Sequence, residues 1–170
     1  MTGAPYWFLD VDGVINCFPQ PKSYHVAKFG EYKNVQVGVY QIWYSQRVID
    51  FINRMSREGL VRVIWLTTWR DAATHEFAPA VGLDAFPHID SVGSDFCGHI
   101  DWWKNVGLRE FMAHKDEAFV WTDDDIGTLI RKGVRHDFEG RCMVITPMSS
   151  PGLEPDHLER IETFLLANTS

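Results

Sequence analysis

What the chain lacks narrows its class before any motif is read. It has only three cysteines, Cys17, Cys97 and Cys142, odd in number, far apart and without CxxC spacing. That argues against a disulfide framework and against structural zinc. They read as three buried thiols in a reducing cytoplasm. Basic charge is not in excess, since 16 Lys and Arg face 23 Asp and Glu for a net of −7. A chain this acidic is a poor candidate for coating long DNA or lying on anionic membranes, although a locally basic site remains compatible with it. No apolar run approaches the roughly 20 residues that a membrane helix needs. Met1 passes into Tyr6-Trp7-Phe8-Leu9 with no basic leader, so neither a signal peptide nor a membrane partner is expected. Repeats, charge blocks and low-complexity stretches are missing too.

What remains is the make-up of a globular protein: 170 residues, 45% hydrophobic and 14% aromatic. One domain spanning 1–170 is expected, large enough to bury a core without staples. The pattern alternates strand and helix. Tyr6 to Val11 is a short apolar run readable as a buried strand. Ser45 can cap a helix in which Val48, Phe51, Ile52 and Met55 follow the i, i+3, i+4, i+7 rule, with Gly59 at its end. Val61 to Leu66 is almost continuously apolar, as in a strand covered on both faces. A helix is expected from about Asp71, another over Trp102 to Ala113, and strands over Ala118 to Thr122 and Cys142 to Ile145. Pro155 suits the first turn of a closing helix whose Leu158, Ile161 and Leu165 share a face.

Alternation of this kind implies an α/β fold, a mostly parallel sheet with helices on both faces. Ligands of such sheets bind beyond the carboxyl ends of the strands, so the residues just after each strand are the informative ones. Between the first strand and the first helix lies a different segment, about 17–44. It carries Lys22, Lys28 and Lys33 against Glu31, with Tyr24, Phe29, Tyr32, Tyr40, Trp43 and Tyr44. Val35, Val37 and Val39 alternate with Gln36 and Gly38, so a small β-hairpin flap is expected.

The strand ends carry chemistry. The first leads into Asp10-Val11-Asp12-Gly13, the second into Thr67-Thr68-Trp69-Arg70 and the third into Asp123-Asp124-Asp125, while Lys104 opens the helix before the third. A carboxylate at Asp10 can attack phosphorus if a metal offsets the repulsion between two anions. Asp12 can point into the same cleft, protonate a leaving oxygen and later deprotonate water. The acids at 123 and 124 suit a hard cation such as Mg²⁺, and Thr67 and Lys104 offer a hydroxyl and a positive charge to phosphoryl oxygens. Each part alone has a commonplace reading: a turn, a helix cap at 123–125, loop hydroxyls, a solvated lysine. Together, in this order, they amount to phosphoryl transfer through an aspartyl-phosphate.

These motifs resemble those of the haloacid dehalogenase (HAD) superfamily in its phosphatase form. FLDVDGV, Phe8 to Val14, resembles the first motif; VIWLTTW resembles the second; Lys104 fits the third; VWTDDD fits the fourth in its paired-acid version. The spelling WLTTWR with WTDDD is most similar to the small phosphatase-like domains of RNA-repair proteins and their phage or bacterial relatives, over about Tyr6 to Ala167. The resemblance implies a three-layer Rossmann-like fold, Asp10 as nucleophile, Asp12 as general acid/base, Thr67 on the phosphoryl group and Lys104 stabilising it. It further implies Mg²⁺ held among Asp10, Asp12, Asp123 and Asp124, with the Val11 carbonyl in the metal's shell. Lys115 is the rival for the lysine role, but it sits immediately before the third strand.

The short flap resembles the open members of the family, which take larger substrates. Lysines and aromatics in the flap, with Thr68, Trp69 and Arg70 beside the phosphate site, could bind phosphates and stack on bases, although the aromatics, Trp102-Trp103 included, could equally be packing. The seven histidines show no zinc spacing; His99 and Asp101 lie close to Lys104 in sequence. The expectation is a cytoplasmic Mg²⁺-dependent phosphomonoesterase acting on nucleotides or nucleic-acid ends, with no stable protein partner implied. The alternatives are a small-metabolite phosphatase on the same machinery, a non-catalytic binding module, or a two-metal nuclease.

Overall fold

The computed structural model describes residues 3–23, 26, 30 and 32–169. Tyr24, Lys28, Phe29 and Glu31, read above within the flap, lie outside the described residues. Six strands are present among the described residues: β1 (Tyr6–Leu9), β2 (Tyr32–Val37), β3 (Tyr40–Ser45), β4 (Arg62–Trp65), β5 (Phe119–Thr122) and β6 (Cys142–Ile145). Four of them form a parallel sheet in the order β4-β1-β5-β6. The chain leaves β1 for β4 on one side, then crosses to β5 on the other, so the order reverses at β1.

Strand β1 shows why this sheet is buried on both faces. Its four residues are all apolar, and period-two alternation sends Trp7 and Leu9 one way and Tyr6 and Phe8 the other. Trp7 and Leu9 join Val63, Trp65 and Val120 beneath α1 (Gln46–Arg57) and α5 (Pro155–Asn168). Tyr6 and Phe8 join Ile64, Phe119 and Trp121 beneath helices on the opposite face. Phe8 is wholly buried and meets Phe111 and Phe119 edge-on at 5.5 and 5.6 Å. Truncating such a ring to alanine costs about 3–5 kcal/mol.

Helix α1 follows Ser45, which takes the cap position without a side-chain bond, and Gly59 at φ 72° lets the chain turn back after it. The helix expected from about Asp71 is there, but a π-helical turn, Ala73–Phe77, interrupts it before α2 (Ala78–Val81). Pro79, which has no N–H to give, sits inside that restart. On the far face lie α3 (Trp103–Met112) and α4 (Thr128–Asp137). Gly127 occupies the cap position of α4, so the three aspartates at 123–125 do not cap it. In α5, Pro155 opens the helix and Leu158, Ile161 and Leu165 are buried.

The flap is a two-stranded antiparallel hairpin, β2 against β3. Gly38 at φ 57° takes the first of its two turn positions, where a tight hairpin turn needs a positive φ. Tyr32 and Tyr44 are buried, Trp43 packs on Cys17, and Tyr40 is left 60% exposed. Of these four flap aromatics, all but Tyr40 therefore serve packing. Two corrections concern the thiols: Cys97 is exposed and Cys142 only half-buried, so Cys17 alone is a buried cysteine. Both outer thiols sit at edges of the three-layer core, Cys97 in a surface loop and Cys142 at the start of edge strand β6. Among the described residues no helix is long and apolar enough to cross a membrane.

Candidate active site

Register assembles the site. Leu9 pairs with Trp65 and Thr122, and Thr122 with Ile145, so all four strands end level. The ladder runs on past these ends, with the Asp10 N–H donating to the Thr122 carbonyl at 3.1 Å and the Asp123 N–H to that of Ile145 at 3.2 Å. Asp10 and Asp123 are thereby held on neighbouring strands and emerge side by side at the carboxyl edge.

Lys104, in the first turn of α3, lies between them. Its Nζ donates to Asp10 Oδ2 and to Asp123 Oδ2, both at 2.7 Å, and its side chain is 3% exposed. The other Asp10 oxygen accepts the Val11 N–H at 2.8 Å, and the other Asp123 oxygen accepts the Asp125 N–H at 2.9 Å. Burial alone would pull the lysine's pKa down; Asp10 and Asp123 outweigh it and raise it. Burial, reinforced by the charge of Asp10, pushes the Asp123 carboxyl well up, against the pull of Lys104. Burial also raises Asp124, whose Oδ2 accepts the Ser149 hydroxyl at 2.6 Å. Lys115, the rival lysine, is elsewhere: its Nζ donates to the Phe111 carbonyl.

Oxygens of Asp10, Asp123 and Asp124 lie within 4.8 Å of one another, the one such cluster of metal-ligating side chains among the described residues. Three carboxylates against one ammonium leave an excess of negative charge, which adds to burial in pushing two of the acids up. An all-oxygen donor set with that excess fits a hard divalent cation. No histidine or cysteine belongs to the cluster, so a soft-metal site is not built here.

Asp12 does not belong to the cluster. Its Oδ2 accepts the Trp69 indole N–H at 2.8 Å and its Oδ1 accepts the Asn16 amide at 2.7 Å. Asn16 in turn accepts the Trp43 N–H at 3.1 Å, tying this carboxylate to the flap. The Val11 carbonyl, expected in the metal's shell, is taken by the turn instead: it accepts the N–H groups of Val14, Ile15 and Asn16 at 3.3, 2.9 and 2.9 Å. Gly13 makes the turn possible. Its φ is 70°, and a Cβ there would collide with the Asp124 carboxylate.

The cleft over these residues has a volume of about 440 Å³, and its lining includes Asp10, Asp12, Thr68, Lys104, Asp124 and Ser149. Trp102 and Trp103 are buried yet form one wall, with the Lys104 ammonium 5.1 Å from the Trp102 ring. Thr68 lines the cleft; Thr67 does not, being 1% exposed with its hydroxyl turned to the Trp69 N–H at 3.4 Å. Arg70 does not line it either. Its guanidinium lies 3.5 Å from the Trp103 ring centre and pairs with Asp90 at 3.3 Å. His99 and Asp101 are exposed and outside the lining.

Asn16 and Ser149 were not singled out from sequence. Ser149 lies four residues past the end of β6, so the strand-end rule points to it as it does to the other three ends. Asn16 carried no signal beyond lying four residues after Asp12.

A family model described as HAD domain in Swiss Army Knife RNA repair proteins matches residues 6–158. The match takes in every residue of the site and supports a HAD-type hydrolase, with a metal ion as its usual companion. No curated protein and no solved structure matches the chain.

Proposed function

Because the chain belongs to the family of HAD domains in Swiss Army Knife RNA repair proteins, we propose that it is a Mg²⁺-dependent phosphomonoesterase working through a phosphorylated Asp10. The observation that carries the reading is the buried Lys104 bridge, 2.7 Å to each of Asp10 and Asp123, beside a third acid and with Asp12 held apart. Burying this many charges gains the fold little, because desolvation offsets their attraction. A cleft is where such an arrangement has a use.

The residues divide the work as follows. An Asp10 oxygen attacks phosphorus, the bond to the leaving oxygen breaks, and that oxygen takes a proton from Asp12. Asp12 then takes a proton from water, whose oxygen attacks phosphorus; the bond to Asp10 breaks and inorganic phosphate leaves. Both Asp12 oxygens already accept one donor each, which fixes the carboxyl group and leaves a lone pair on each for the transferred proton. Lys104 holds Asp10 in place and offsets charge on the phosphoryl oxygens, to which Thr68 presents its hydroxyl. Asp10, Asp123 and Asp124 would hold the magnesium ion, which when bound neutralises the repulsion between phosphate and carboxylates. The 170 residues work as one domain on a phosphorylated small molecule or a nucleic-acid end.

The test is hydrolysis of p-nitrophenyl phosphate and of 5′-nucleotides in Mg²⁺ or chelator, comparing wild type with Asp10→Asn. Turnover should require the metal and vanish in the variant. Turnover that persists in Asp10→Asn, or is indifferent to chelator, refutes the mechanism. Trapping a beryllium fluoride adduct on Asp10 separates it from a two-metal nuclease.

A further inference from the structure

Beside the cleft lies a second cavity of about 480 Å³ that shares Asp12 and Thr68 with it. The hairpin tip and the turn after β4 form its walls. Trp69 is half-buried, backed by Phe77 at 5.6 Å, and faced by Tyr40 at 5.3 Å with their planes at 56°. Tyr40 is 60% exposed. Gly38, in the tight turn, lines the cavity without a side chain. Glu76 stands at the rim, and among the described residues neither Lys nor Arg lines the cavity.

We propose that this cavity is the leaving-group subsite of the phosphatase and that it takes a nucleobase. The proposal rests on the hydrolytic reading above. Position comes first: Asp12 gives its proton to the leaving oxygen, so the leaving group must extend from Asp12, and this cavity begins there. The walls decide shape, since Tyr40 and Trp69, in tilted contact with each other, form an aromatic platform on whose open side a flat ring can stack. Charge decides the rest. Asp12 and Glu76 disfavour a further phosphate inside the cavity, such as a polyphosphate tail, and favour a neutral ring whose N–H groups can donate to Glu76. The volume suits a nucleoside, within the roughly 300–1,000 Å³ of small-molecule sites. Trp69 then has two duties: it floors the subsite and, through its indole N–H, it is a positioning residue for Asp12.

The experiment uses the full chain with ¹⁵N-labelled tryptophan, the Trp69 indole signal being identified by its loss in Trp69→Phe. Adenosine, which has no phosphate, should shift that signal without metal, and Tyr40→Ala should weaken the effect about tenfold, the worth of one stacked base. In parallel, the ratio of kcat/KM for 5′-AMP over that for glycerol phosphate should fall about tenfold in Tyr40→Ala. No shift of the Trp69 signal at millimolar adenosine overturns the subsite, as does an unchanged ratio. A shift with neither ester hydrolysed overturns the phosphatase reading and the leaving-group role with it. Stronger binding of 5′-AMP than of a 5′-phosphorylated trinucleotide assigns the base to a free nucleotide; the reverse assigns it to a nucleic-acid end, and both support a nucleobase site.

Discussion

Replacing Lys104 with methionine tests the electrostatics of the site directly. The side chain is 3% exposed and bonded at 2.7 Å to both Asp10 and Asp123, with Asp124 in the same cluster. Methionine keeps most of the volume and removes the charge, so the buried carboxylates lose their counter-ion. Removing one partner of a buried pair costs about 3–5 kcal/mol, because the charge left behind has neither water nor partner. At about 2–4 °C per kcal/mol for a chain of this size, the melting temperature in chelator should fall by roughly 6–20 °C. The same change deepens the negative charge of the cluster from two net units to three, so a divalent cation should bind the variant more tightly. An ion at a hundred times its Kd adds about 2.7 kcal/mol. The variant's gain in melting temperature on adding millimolar Mg²⁺ should therefore exceed the wild type's, while its turnover falls by about 10²–10³ as a charge-stabilising group is lost. Scanning fluorimetry with and without Mg²⁺ reads the first effect. A chelated variant melting within about 2 °C of wild type would show that these carboxylates do not depend on Lys104, and the reasoning fails.

Gly13→Ala should destabilise by at least about 1–2 kcal/mol from its positive φ alone, and more from the collision with Asp124; a weaker Mg²⁺ affinity by calorimetry would mark the displaced carboxylate. Thr68→Ala should lower kcat/KM roughly tenfold to a hundredfold, the worth of a hydrogen bond to a charged group, whereas Thr67→Ala should act mainly on stability. At the start of α5 the Glu154 N–H donates to His157 Nδ1 at 3.1 Å, and burial lowers the His157 pKa below its usual 6.5. The unfolded chain then takes the proton first, so this cap's stabilisation of about 1 kcal/mol is full above pH 6.5 and is lost as pH falls through the folded value. Urea unfolding between pH 5 and 7 should show that slope in wild type and lose it in His157→Gln, which keeps a capping side chain without the titration.

The strands were legible because this sheet is buried on both faces. A run such as Val61 to Leu66 has no polar alternation to confuse it, and its centre, Arg62–Trp65, is β4. Helix α1 was legible for the opposite reason, its stripe from Val48 to Met55 having one apolar face. Helix α4 entered only as something 123–125 could cap, without bounds: of its ten residues only Ile130 and Val134 are buried, too few to make a period. The π-helical turn at Ala73–Phe77 was illegible too, because Pro79 signals a break without saying how the helix absorbs it.

In the site, spacing along the chain located the charged groups and could not orient them. Asp10 and Asp123 follow strands that end level, so reading strand ends was enough to bring them together. Which atoms of a turn face the cleft is another matter. Val11 stands between two predicted site residues, yet its carbonyl closes the turn that its neighbours need. Thr67 and Thr68 are chemically identical, and only the bend of the chain at Arg70, φ 52°, and the packing of Trp69 on Phe77 leave the second one in the cleft. The same bend carries the Trp69 indole N–H to Asp12 and turns Arg70 away onto Trp103. The aromatic residue therefore lies against the acid, and the arginine pairs with Asp90 behind the wall. With Arg70 turned away, Lys104 is the one cation that faces five lining carboxylates among the described residues. A dianionic phosphate would meet repulsion from those acids that one ammonium cannot cancel, so the proposed metal requirement rests on the charge of the lining as much as on the acids that would hold the ion.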